Sequence, residues 1–392
     1  MLNTPFSPWP SFSQEEIDAV SAVLASNKVN YWTGQEGRQF EKEFAEYTDS
    51  KYAVAVANGT LALDLAFAAL ALGEGDEVIV TSRTFIASVS SIINAGATPV
   101  FADVELDSQN ISARTISEVL TPKTKAIVCV HLAGWPCDMD PIIELAKQHN
   151  IFVVEDCAQA HGAKYKGRSV GSIGDVGAWS FCQDKIMTTG GEGGMLTTNN
   201  EKLWRKAWAY KDHGKSYAAV YEKEHPPGYR WLHESFGTNW RLTEMQSAIG
   251  RIQTKRMPQW FETRNRYAQQ IFASCRSFDF IDVPEVPNDV EHAFYKCYVQ
   301  VKPERLPQGI CRDQIIDKLN QAGIPCYSGS CSEVYKEKAF DNTNYRPAQP
   351  LPNAVKLGET SLMFLVHPTL TQQEIDKTCN AIGKICAELT KL

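Results

Sequence analysis

Between residues 50 and 200 short β-branched runs alternate with helical stretches, and no other feature of the chain restricts its fold so strongly. The runs are YAVAVA (52–57), EVIVTS (77–82), TPVFADV (98–104), KAIVCVH (125–131), IFVVED (151–156), VGAWSF (176–181) and GGMLTT (193–198). Helix-like sequence separates several of them: TLALDLAFAALAL after Gly59, FIASVSSIINAG after Thr84 and MDPIIELAKQHN after Pro136. The last two end in small or amide residues suited to a helix stop. Strands that are apolar along their length, with helices between them, bury both faces. The expected fold class is α/β, with a seven-stranded, mostly parallel sheet between helices.

After Arg241 the pattern changes to longer amphipathic helices, TEMQSAIGRIQTKR and then MPQWFETRNRYAQQIFASC. KCYVQV (296–301), RDQIIDKLNQAG (312–323) and QQEIDKTCNAIGKICAEL (372–389) read as a smaller C-terminal α/β unit. The 392 residues suit two domains of roughly 100 to 200 residues each. The expected division is a large domain over 1–255 and a small one over 256–392.

An apolar fraction of 43% with 22% charged residues belongs to a chain that buries a full core. The formal charge of -7 argues against nucleic acid as a partner, since polyanion binding leans on clustered Lys and Arg. Eleven cysteines without a CxxC pair read as reduced thiols, mostly core filler. The opening MLNTPFSPWPSF has neither the basic residues nor the apolar stretch of a signal peptide. The richest apolar stretch, AFAALAL at 66–72, is too short to span a membrane, and a cytoplasmic protein is expected. The histidines, His131, His161 and His213 among them, form neither HExxH nor the deaminase pattern. No metal is expected.

Ligands of parallel α/β sheets bind beyond the carboxyl ends of the strands. The Asn58-Gly59-Thr60 turn follows the first strand and opens a helix, where free amides and the helix dipole suit an anion; an ordinary helix cap reads the same way. Asp156 ends the apolar IFVVED strand, where a carboxylate is costly without a cationic partner, unless it caps a turn. Lys185 lies between an apolar strand and a Gly-rich loop, the setting of either an imine-forming amine or a solvated surface charge. Ser180 ends the same strand.

Two other patterns are decoys. GAKYKGRS (162–169) carries Arg168 where a phosphate-binding loop requires Lys, and it follows no strand. TGGEGG (189–194) fails the GxGxxG pattern and precedes a strand instead of a helix.

Asp156 followed by Lys185 ahead of a glycine-rich turn resembles the aspartate aminotransferase fold of pyridoxal phosphate (PLP) enzymes, fold type I. More narrowly, the chain resembles the DegT/DnrJ/EryC1/StrS sugar aminotransferases over nearly its whole length. The resemblance rests on TGQEGRQFEKEFAEYTDSKYAVAVANGTLALDLA, TFIASVSSIINAGATPVFADV, VHLAGWPCDMDPI, VEDCAQAHGA, GAWSFCQDKIMTTGGEGG, GTNWRLTEMQSAIG and SLMFLVHP. The EDxAQAHG and SFxxxKxxxxxGEGG blocks are its most specific parts.

The resemblance implies that Lys185 holds the cofactor as a Schiff base and shuttles a proton, while Asp156 pairs with the pyridinium nitrogen. Gln159 would bond the phenolic oxygen, and Phe85 would stack on the ring. Gly59, Thr60 and Ser180 would hold the phosphate, and Asn239 would reach it from the neighbouring subunit of a homodimer with shared sites. L-Glutamate is the implied amino donor and a keto or aldehyde sugar the acceptor, in cell-surface polysaccharide or lipopolysaccharide biosynthesis.

Within the family, dehydratases replace the Schiff-base lysine by histidine, and a non-catalytic regulator would not need Lys185, Asp156 and Gln159 intact. Both are weaker alternatives. Asn58-Gly59-Thr60 replaces the usual Ser-Gly-Thr, and GTNWR the usual GYNYR. GIPCYSGSCSEVY (323–335) stands where many nucleotide-sugar enzymes carry His-Tyr-Pro, and the 211–237 segment is long. Within the family the chain most resembles the branch making 8-amino-3,8-dideoxy-manno-octulosonate, which implies 8-oxo-3,8-dideoxy-manno-octulosonate as the leading acceptor; Lys215, Arg230 and His233 could meet its carboxylate or be ordinary surface charges. The alternative is a nucleotide-diphosphate 4-keto-6-deoxyhexose.

Overall fold

The computed structural model describes residues 6–391, so the first five residues of the N-terminal stretch read above lie outside it. All seven apolar runs enter one sheet. Its strands are β1 (Tyr52–Val56), β2 (Glu77–Thr81), β3 (Thr98–Ala102), β4 (Thr124–Val130), β5 (Phe152–Asp156), β6 (Val176–Ser180) and β7 (Gly194–Thr198). Their spatial order is β1-β7-β6-β5-β4-β2-β3. Only β7 runs against the rest, pairing antiparallel with β1 and β6.

Burial on both faces explains the unbroken apolar runs. On one face Val54, Val80, Val128 and Val154 pack under Leu63 and Phe67 of the helix Gly59–Leu70 and under Val89 and Ile92 of the helix Ala87–Asn94. On the other, Ile79, Ile127 and Val153 meet Met139, Ile142 and Ala146 of the helix Met139–His149. Parallel register sets Val130 opposite Asp156 and Asp156 opposite Ala178, so the carboxyl ends of β4, β5 and β6 form one ledge.

A second sheet of four short strands, β8 (Ile281–Asp282), β9 (Cys297–Val301), β10 (Cys326–Tyr327) and β11 (Ser361–Phe364), is antiparallel throughout in the order β8-β9-β11-β10. Ile315 and Leu319 of the helix Arg312–Gln321, and Ile375 and Ile382 of the helix Gln372–Leu389, close its core.

One expectation is corrected. The two helices read after Arg241 are a single 32-residue helix, Glu244–Cys275, with Pro258 inside it. An interior proline costs roughly 3 kcal/mol, but buried residues lie on both sides of it, from Ser247 and Met257 to Tyr267 and Phe272. Packing of both halves outweighs the break. The helix runs through residue 255, so the division there does not coincide with a gap between elements.

The start of the described chain belongs with its end. Ser7 donates from its amide to Glu374 at 2.5 Å, and Thr369 Oγ1 donates to the Pro8 carbonyl at 2.7 Å. The Trp9 indole packs edge-on against Trp260 and donates its N–H to the Lys185 carbonyl at 2.8 Å.

GAKYKGRS forms a hairpin in which Lys164–Tyr165 pairs with Arg168–Ser169, and Lys166 and Arg168 both reach Asp140. A phosphate loop is ruled out there. All eleven cysteines are free, seven of them buried. Among the described residues no helix is long and apolar enough to cross a membrane.

Candidate active site

The ledge of strand ends opens on a cavity of about 660 Å³. Seven of the eight residues singled out in the sequence line it: Gly59, Thr60, Phe85, Asp156, Gln159, Ser180 and Lys185. Asn239 does not; it is exposed and bridges the strand-like residue Asp212.

At one end the helix Gly59–Leu70 points its amino terminus into the cavity. Asn58 caps it from an extended backbone, its Oδ1 accepting from the Leu61 amide at 2.9 Å. The cap leaves the first-turn amides of Gly59 and Thr60 at the cavity wall, where the helix dipole favours an anion. A Cβ built on Gly59 would lie 2.5 Å from Ser180 Cβ and 2.9 Å from its Oγ. Only glycine lets the turn and Ser180 close together into a cradle for a small anion.

Asp156 is 6% exposed at the end of β5. Its Oδ2 accepts from Ser88 Oγ at 2.7 Å and its Oδ1 from the Ala158 amide at 3.1 Å. These two bonds orient the carboxylate but leave it lone pairs toward the cavity. The neighbouring Glu155 has the opposite fate. It is fully buried, accepts from the amides of Gly171, Ile173 and Gly174, and sits 3.0 Å from His131 Nε2. His131 Nδ1 accepts from the Cys137 amide, which leaves Nε2 to carry the proton donated to Glu155. His131, Glu155 and Cys157 group their donor atoms closely enough for a metal, but the Glu155 oxygens are already engaged by this network.

Gln159 is turned by the backbone. Ala133 takes a left-handed conformation (φ 56°), and its amide donates to Gln159 Oε1 at 2.8 Å. Phe85 is 68% exposed and presents its ring to the cavity.

Lys185 is partly buried, with Nζ 5.2 Å from the centre of the Tyr295 ring. The Tyr295 hydroxyl donates to Asp184. Burial pushes the Asp184 carboxyl up, but Lys185, the Tyr295 hydroxyl and Lys296 together hold it below its ordinary value. Behind them, burial pulls His161 down to about 3, and it stays neutral. The cavity therefore joins an anion cradle, an oriented carboxylate and an amine.

Several participants carry no mark in the sequence. Ser88 is signalled only by lying within the TFIAS stretch after Phe85. Tyr295, Ser330 and Cys331 come to the cavity wall from the second half of the chain, and Trp9 reaches the Lys185 backbone from its beginning.

The pattern of the DegT/DnrJ/EryC1/StrS aminotransferase family matches residues 10–383. A crystal structure of an aminotransferase from Psychrobacter cryohalolentis is 66% identical and superposes with a TM-score of 0.97, covering 98% of this chain and 100% of that one. Among curated proteins, the GDP-perosamine synthase of Escherichia coli O157:H7 is 35% identical over 97% of this chain and 98% of its own length. The dTDP-3-amino-3,6-dideoxy-alpha-D-galactopyranose transaminase of Aneurinibacillus thermoaerophilus is 34% identical, over 95% of both chains.

Proposed function

The chain belongs to the DegT/DnrJ/EryC1/StrS aminotransferase family, a family of PLP-dependent sugar aminotransferases, and from that premise we propose that it moves the amino group of L-glutamate onto the carbonyl of a nucleotide-linked keto sugar. The setting would be the cytoplasmic stage of cell-surface polysaccharide synthesis. One observation carries the reading: Lys185, Asp156 and the Gly59-Thr60-Ser180 cradle open on the same cavity.

The cradle suits the cofactor's phosphate, because Gly59 leaves the first-turn amides uncovered. Asp156, with lone pairs free on the cavity side, suits the ring nitrogen, and Gln159 the phenolic oxygen. Phe85 offers the ring a flat apolar face, and Lys185 offers the amine that holds the aldehyde carbon. The bound cofactor supplies an electron sink for the carbon that loses its proton. Lys185 Nζ accepts the proton from the donor's α-carbon and delivers one to the sugar carbon that becomes an amine-bearing carbon. Ser88 keeps Asp156 oriented.

The acceptor is inferred from the relatives, whose names refer to GDP- and dTDP-linked sugars. The octulosonate acid implied by the resemblance to one branch of the family is the second acceptor to test. Of the residues offered to its carboxylate, Lys215 is bonded to Asp212 at 3.0 Å, and none of the three lines the cavity of its own chain. A homodimer belongs to the reading too: Asn239 is exposed and away from its own cavity, as are Tyr229, Trp231 and Phe236.

The test is to discharge the visible absorbance of the PLP-loaded protein with L-glutamate, then offer nucleotide-linked 4-keto sugars and the oxidised octulosonate separately. Recovery with a nucleotide-linked sugar is the expected result. Recovery with the octulosonate alone would replace the acceptor, and failure of L-glutamate to discharge the band would remove the donor.

A further inference from the structure

Three carboxylates line the cavity, those of Asp156, Asp184 and Glu192. Asp156 is assigned to the ring nitrogen. Among the described residues the exposed Glu192 side chain, on the turn into β7, meets only the Cys182 sulfur at 4.0 Å and is held by no stronger contact. Asp184 is held but has no task. It directly precedes Lys185, is half-buried, and accepts the Tyr295 hydroxyl, a bond that ties the loop after β6 to the segment before β9. The Tyr295 ring is also part of the wall, with Lys185 Nζ 5.2 Å from its centre. Carboxylate, ring and amine share one stretch of wall.

Among the described residues the Tyr295 hydroxyl and Asp184's own amide are the donors that reach this carboxylate, and it forms no ion pair. An ionised carboxylate offers roughly four lone-pair sites, so part of its capacity stays open. What can fill the open sites depends on what reacts at the neighbouring amine. The reacting carbon of L-glutamate carries a carboxylate, which an adjacent anion repels. The reacting carbon of a keto sugar is flanked by a carbon bearing a hydroxyl, which donates. An anchored and partly filled carboxylate beside the amine therefore suits the sugar.

We propose that Asp184 is a specificity-determining residue that accepts a hydrogen bond from the hydroxyl next to the sugar carbonyl, with Tyr295 as the residue that positions it. The inference rests on the keto-sugar reading above and adds the group that recognises the sugar. A site built to bond a substrate hydroxyl rejects the analogue that lacks it, because its own polar group is then left unpaired. The hydroxyl, not the carbonyl alone, is what Asp184 reads.

The experiment discharges the PLP-loaded protein with L-glutamate and offers it a nucleotide-linked 4-keto-6-deoxyhexose or the 3-deoxy counterpart, for the wild type, Asp184→Ala, Asp184→Asn and Tyr295→Phe. If the octulosonate is the sugar that reacts, its 7-hydroxyl and 7-deoxy forms replace them. A hydrogen bond to a charged group predicts that the wild type favours the hydroxyl-bearing sugar by roughly tenfold to a hundredfold in kcat/KM. Asp184→Ala should remove most of that preference, while Asp184→Asn and Tyr295→Phe each keep part of it. A merely structural role would lower both sugars alike, and a preference that survives Asp184→Ala overturns the proposal. If the variants do not fold, calorimetry on the wild type decides: sugars with a hydroxyl in place of the carbonyl cannot react, and removing the neighbouring hydroxyl from them should weaken binding by a similar factor. Equal affinities overturn the proposal. A protein that takes up an amino group but passes it to no keto sugar would refute the sugar reading itself, a result distinct from these.

Discussion

Asp156 and Glu155 are consecutive carboxylates on one strand, and they face opposite sides of the sheet under opposite constraints. Glu155 has its oxygens taken by three amides and His131. Asp156 has two orienting bonds and an open side toward a cavity. Strand alternation alone produces the split. It teaches that burial does not separate a structural acid from a binding one, since both are buried; spare hydrogen-bonding capacity does.

The strongest way to break the comparison is to neutralise each acid in turn. Asp156→Asn should lower kcat by roughly a hundredfold to a thousandfold, with thermal unfolding of the cofactor-free protein nearly unchanged. Steady-state kinetics beside melting curves would check it, and a variant that melts early but turns over normally would reverse the roles. Glu155→Gln should do the converse. Removing one partner from a buried network costs about 3 kcal/mol of stability, read in urea unfolding, while turnover per folded molecule holds.

Ser88→Ala sharpens the picture on the open side. The loss of one hydrogen bond to a charged group predicts a fall of roughly tenfold in kcat/KM, well short of Asp156→Asn. Equal effects would mean that orientation, not charge, is what Asp156 contributes. A separate effect concerns pH. Burial pulls His161, His292 and His367 from 6.5 to about 3 in the folded chain. Below their unfolded value these groups bind protons in the unfolded chain first, so stability should fall as pH drops from about 6.5 toward 3 and should be level above it. Denaturant midpoints measured across that range would show the slope.

Much of the architecture was legible because it rests on local pattern. Seven apolar runs became seven strands, since a strand buried on both faces must be apolar throughout. Seven of the eight site residues fell at or beside the ends of those strands, where the topology collects them. Asn239 was expected to act across a subunit boundary, which one chain does not display. The long helix was misread because Pro258 is a local stop signal, and only packing against distant segments overrides it. Tyr295, Lys296 and Trp9 were invisible for a related reason: each reaches Lys185 through the folded chain, from more than a hundred residues away in sequence. The choice between Glu155 and Asp156 was half legible, because alternation puts neighbours on opposite faces without saying which face holds the cavity.

The bond from Trp9 to the carbonyl of Lys185 gives the opening residues a hold on the chemistry. Because that contact grips main chain and leaves the amine itself free, losing it would act as a slackened mooring. The reactive nitrogen would wander more while the molecule around it kept its shape.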